Sequence, residues 1–170
     1  MMDLFVWLEH TWIANAIRTV RWLYPALETS HYIGLSLLVG GIMLIDLRVL
    51  GFARTLPLKS MIGLLPFVWV GFIINALTGS ALFIYGATGF GVNHAFWLKM
   101  TFMVFAGLNA LAFDLSVRRA KVDWVAAGLP PPHVKTFATL SFVLWLCVVT
   151  TGRWMACTAR GQISPFGNSP

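Results

Sequence analysis

Residues 61–85 read MIGLLPFVWVGFIINALTGSALFIY, 25 positions without one Asp, Glu, Lys or Arg. At about 1.5 Å per residue a helix of that length reaches roughly 37 Å, more than the ~30 Å hydrocarbon core of a bilayer. With no charged side to turn toward water, the stretch reads as a membrane-crossing helix. Gly71, Asn75, Thr78 and Gly79 form one small, polar stripe along it.

Three further segments have the same character: about 25–50, 95–117 and 134–157. Pro25 suits the first turn of the first. Pro130, Pro131 and Pro132 precede the last and read as a helix boundary. Residues 3–24 differ. Phe5, Leu8, Trp12, Ile13, Ile17, Val20 and Tyr24 recur at helical spacing, while Asp3, His10, Arg18 and Arg21 lie off that stripe. Trp7, Trp12 and Trp22 suit the headgroup level, so the segment reads as an amphipathic helix lying on the membrane. A fifth crossing would immerse Glu9, Arg18 and Arg21. The start lacks the basic residues and small-residue cleavage site of a signal peptide, so the first segment is expected to be retained. The expected fold is all-α: a polytopic membrane four-helix bundle with an N-terminal amphipathic interfacial helix, a single domain over residues 1–170.

Composition fits this reading. The chain is 58% hydrophobic and 11% charged, against roughly 25% charged in soluble domains. Its mean hydropathy is +0.78. A net charge of +6 argues against nucleic acid as partner here, because the basic residues lie in short connections rather than on one face. Arg48, Arg54 and Lys59 sit between the first two spans, and Arg118, Arg119, Lys121 and Lys135 between the last two. Positive-inside then puts both connections in the cytoplasm and both termini outside, which is the periplasm if the membrane is a bacterial inner membrane. Cys147 and Cys157, ten positions apart on one helix, are about 15 Å apart, too far for a disulfide.

Ionisable groups within membrane segments are costly and mark candidate sites. The orientation brings Glu28 and His31, Asn75 and Thr78, Lys99, and Arg153 to one leaflet, from all four spans. Glu28 and His31 share a face, with Gly34 next along it. Lys99 and Met103 are four apart on the third span. A cavity lined by His, Met, Lys, Arg and small residues matches what an intramembrane haem requires: His31 as axial ligand, Met103 or His94 as its partner, and Lys99 and Arg153 on the propionates. The same residues are equally read as helix-holding ion pairs and snorkelling cations, or as a path for protons or ions. His10 and His133 read as interfacial. Asp46, Arg48 and Asp114 form a second group, read as ion pairing at the helix ends. Gly34, Gly40, Gly41, Gly71, Gly79 and Gly107 permit close helix packing. Among the described motif types there is no H-E-x-x-H, G-x-S-x-G or phosphate loop in the sequence.

Several short motifs carry a resemblance: His31-Tyr-Ile-Gly34, Asp46-Leu-Arg48-Val-Leu-Gly51, Asn75-Ala-Leu-Thr-Gly79, Asn93-His-Ala-Phe96-Trp-Leu-Lys99 leading to Ala106-Gly-Leu-Asn109-Ala, and Gly152-Arg153-Trp. Over about residues 25–157 the chain resembles an uncharacterised bacterial family of four-helix membrane proteins. That family is distantly similar to copper-resistance membrane domains and to four-helix haem-containing protoporphyrinogen oxidases. The oxidase resemblance implies a haem-linked site using His31 and Lys99; the sequence lacks that group's second histidine in the third span, where Asp114 lies instead. The copper resemblance implies His31, Met103 and His94 as metal ligands. Three functions therefore stand as expectations. The first is a haem b protein in membrane electron transfer, with a quinone or another redox partner. The second is a copper-handling component. The third is a cofactor-free accessory subunit of a larger membrane complex or homo-oligomer.

Overall fold

The computed structural model describes residues 2–119 and 124–159, with residues 156–159 and Ala126 described by backbone alone. Lys121 and Arg160 of the charge pattern, and the Cys157 side chain, lie outside what is described. Every regular element among the described residues is helical. The chain runs through α1 (Met2–Glu9), α2 (Trp12–Thr19), α3 (Leu23–Leu50), α4 (Leu58–Ile62), α5 (Leu65–Tyr85), α6 (Ala87–Gly91), α7 (His94–Arg119), α8 (Trp124–Ala127) and α9 (Pro132–Ala159). Four stretches are long and apolar enough to cross a membrane: Leu23–Leu50, Leu58–Tyr85, His94–Arg119 and Pro132–Met155.

The N-terminal segment departs from the single helix expected over 3–24 and divides into α1 and α2. His10 Nδ1 bonds the Val6 carbonyl at 2.7 Å, and Thr11 Oγ1 donates to the Leu8 carbonyl at 2.7 Å. These local bonds satisfy the last carbonyls of α1 and compete with continuation of the helix. Thr11 is extended, at φ −69° and ψ 158°.

Both short helices dock on the bundle. α2 buries Ala14 and Ile17 and packs against α5 and α3. α1 packs on α6, with the Phe5 ring against Gly91. Glu9 ties them down: its Oε1 accepts from the Thr88 N–H at 2.8 Å and from Thr88 Oγ1 at 2.6 Å, and its Oε2 pairs with Arg18 at 3.5 Å. Arg18 also lies over the Tyr85 ring, 5.7 Å from its centroid. This end of the bundle is called the latch end below, and the end carrying α4 and α8 the loop end.

α3 lies along α5, α9 lies along α7, and α3 joins the two pairs by packing on α9. Among the described residues α5 and α7 make no extended contact, although only α6 separates them in sequence. The α3–α5 seam is closed by glycine. A Cβ on Gly71 would stand 2.7 Å from the Leu38 nitrogen and 2.8 Å from the Gly34 oxygen. Small residues let helix backbones approach this closely, which is how membrane helices gain packing without a hydrophobic drive between them. On the other side, the Asn109 amide of α7 donates to the Phe137 carbonyl of α9 at 3.0 Å. Leu38, Ile42, Ile45, Val68, Ala106, Val134, Ala138, Trp145 and Val148 form the shared core. Leu44, Ile73, Leu77, Val104, Leu108 and Val143 are exposed, as expected of side chains that meet lipid.

At the loop end α3 finishes on Gly51 at φ 103°, a left-handed cap that suits glycine. Arg48 is buried and folds back over the following loop. Its Nε donates to the Leu56 carbonyl at 2.7 Å and a terminal nitrogen to the Arg54 carbonyl at 3.4 Å.

Candidate functional site

Two places in the bundle combine polar side chains with membrane depth. The first is near the latch end. His31 Nδ1 is 2.9 Å from Thr78 Oγ1, and that hydroxyl donates to the Ile74 carbonyl at 2.7 Å. The single hydroxyl proton is thereby used, so the bonding assigns the His31 proton to Nδ1 and leaves Nε2 as a free acceptor. Gly79 makes room for the ring: a Cβ there would lie 3.2 Å from His31 Cε1. Lys99 lies across Gly152 of α9 and interacts electrostatically with His31. α3, α5, α7 and α9 thus meet around this histidine.

The other expected site residues are placed differently. Asn75 is buried in the α3–α5 seam, where its amide donates to the Gly71 carbonyl at 3.2 Å and abuts Gly34. Glu28 is half-buried beside Tyr24. Arg153 is exposed, and His94 is exposed at the first residue of α7. Met103 packs on the core and lines a separate cavity with Leu38, seven residues beyond His31 on α3. Seven residues is about 10 Å along a helix. Among the described residues there is no group of three or more His, Cys, Asp or Glu placed to hold a metal ion.

The second place is that cavity, about 390 Å³ in volume. Its lining includes residues of both α5 and α7, which make no extended contact with each other. Its walls come from all four long helices: Leu38, Ile42 and Asp46 of α3, Val68 and Phe72 of α5, Met103 and Gly107 of α7, Ser141 and Trp145 of α9. The lining is almost wholly apolar, which fits a lipid-facing opening. Asn109 and Ser141 are polar exceptions, and the one acid is Asp46. It is a buried acid with no ion pair among the described residues. The Ser141 hydroxyl lies within hydrogen-bond reach of its carboxyl.

This corrects the expected grouping of Asp46, Arg48 and Asp114. Residues two apart on a helix point to opposite sides. Asp46 accordingly faces the cavity, while Arg48 turns to the loop carbonyls. Asp114 pairs along its own helix with Arg118 at 2.7 Å, an i,i+4 contact. Sequence spacing held the signal for Asp46: it falls one turn past Ile42 and eight residues past Leu38, on the core stripe of α3. Ser141 and Trp145 lie four apart on α9 in the same way.

With this geometry in hand, the chain can be set beside known proteins. It belongs to a family of unknown function, DUF6644, whose model matches residues 4–158. No curated protein and no solved structure matches it.

Proposed function

We propose that this family member is a multi-pass membrane protein that takes up a lipid-soluble small molecule from the bilayer into the cavity between α5 and α7. One observation carries the reading: two sequential spanning helices touch through the Phe83–Phe96 stack near the latch end but make no extended contact, and a chamber lined by all four long helices lies where a closed seam between them would be. Ligand pockets of membrane-sized bundles form between helices, and apolar walls with a few polar groups are their usual chemistry. The basic connections support an orientation with the loop end in the cytoplasm and the latch end outside, in a bacterial inner membrane.

The test is photolabelling in native membranes with a diazirine-bearing alkylbenzene. Adducts should concentrate on Phe72, Met103 and their neighbours in the chamber. Even labelling of Ile73, Leu77 and Val143, which are exposed and lie outside the chamber lining, with no excess in the chamber would overturn the proposal.

A second reading is favoured by His31. An imidazole whose Nδ1–H is held by a hydroxyl, with Nε2 free, has the arrangement that orients a ligating histidine. With Lys99 beside it, this is the basis for retaining haem b, with His31 as axial ligand and Lys99 on a propionate. Absorption spectra of the purified protein with and without dithionite test it; a His31-dependent Soret band supports haem, and a spectrum lacking one removes that reading.

A further inference from the structure

Two residues of the chamber wall each carry a buried polar atom with no hydrogen-bond partner among the described residues. Asp46 is 4% exposed, and its Oδ2 accepts no hydrogen bond from the described residues. Trp145 is 2% exposed, and its indole N–H donates to none of them. Burying a polar group without a partner is costly, and more so when it is charged. Native interiors therefore leave few such atoms, and each one asks for an explanation.

These two stand together. Ser141 and Trp145 are four apart on α9 and share a face. Ser141 in turn reaches the Asp46 carboxyl. Ser141, which reaches the acid, and Trp145, which carries the donor, thus have Cβ atoms roughly 5–6 Å apart on one wall of a mostly apolar space. The chamber, about 390 Å³, has room for much more than the ~30 Å³ share of one water.

We propose that the ligand's head is a hydroxyl-bearing aromatic ring, a phenol or quinol on a lipid-soluble tail, whose O–H donates to Asp46 Oδ2 and whose oxygen accepts from the Trp145 N–H. Trp69, Phe72 and Phe137 supply flat apolar surfaces in the same chamber for the ring. The tail leaves between α5 and α7 into the lipid. This inference rests on the reading that the chamber takes up a lipid-soluble molecule.

The experiment is calorimetric titration of the whole protein in lipid nanodiscs with three probes: decylubiquinol, its bis-methyl ether and decylbenzene. The wild-type protein is expected to bind the quinol at least tenfold more tightly than the ether. Asp46→Leu and Trp145→Phe are each expected to remove most of that preference while leaving ether and decylbenzene affinities unchanged. Equal wild-type affinity for quinol and ether, or a preference that survives Asp46→Leu, overturns the head-group assignment and leaves the chamber standing. Failure of all three probes to bind the wild-type protein overturns the chamber reading itself. The wild-type series decides both points even if a variant does not fold.

Discussion

Gly71→Ala adds one methyl group at the tightest place in the bundle. The new Cβ would meet the Leu38 nitrogen at 2.7 Å, the Gly34 oxygen at 2.8 Å and Leu37 Cβ at 3.0 Å, where ordinary contact begins at 3.4 Å. Two of the three are backbone atoms of α3, which no rotamer change can move aside. The helices must separate along the seam, losing the close contacts that hold α3 to α5. Overpacking of this kind costs about 1–3 kcal/mol, and backbone obstacles place the expected value near the top of that range. Gly107→Ala is the matched control, because a Cβ there meets nothing within 4 Å; its effect should stay within about 0.5 kcal/mol. Reversible unfolding in mixed micelles with increasing SDS measures both. Equal stabilities for Gly71→Ala and Gly107→Ala would refute the claim that this seam is closed by backbone approach.

Other perturbations test other joints. Glu9→Ala removes both bonds to Thr88 and the pair with Arg18; hydrogen exchange should quicken in residues 2–19 and 86–91 while the long helices keep their protection. Arg48→Met frees the Leu56 carbonyl, so the 51–57 loop should open and tryptic cleavage after Arg54 should accelerate severalfold, measured by peptide mapping. Asn109→Leu breaks the bond to the Phe137 carbonyl; interhelical bonds in membranes average about 0.6 kcal/mol, so SDS unfolding should report a loss of about 1 kcal/mol or less.

The four spans were legible because charge-free length is a local property. Nothing beyond residues 61–85 is needed to see that this stretch cannot face water. The break between α1 and α2 was hidden, because the apolar stripe runs through it; His10 and Thr11 end the helix by bonding Val6 and Leu8, and side-chain choices of that kind leave periodicity unchanged. Asp46 was visible but was grouped with Arg48 and Asp114 for ion pairing at the helix ends, whereas helical geometry sends Asp46 and Arg48 apart. The chamber was not legible at all. A helix side facing lipid and one facing an apolar cavity have the same composition, and only the lack of extended contact between α5 and α7 separates them. For the outer cluster, residue types pointed to His31 and Lys99. They could not show that Met103 belongs to the chamber instead.

Native mass spectrometry of the protein ejected directly from membrane vesicles tests the central claim most directly. Gly107 lines the chamber with open space above it, so Gly107→Trp should fill the chamber while leaving the seams intact. The account predicts that the wild-type protein carries a lipid-soluble small molecule at one-to-one stoichiometry and that Gly107→Trp, equally folded, carries none. A wild-type protein that emerges bare, or a bound molecule retained undiminished by Gly107→Trp, would contradict it.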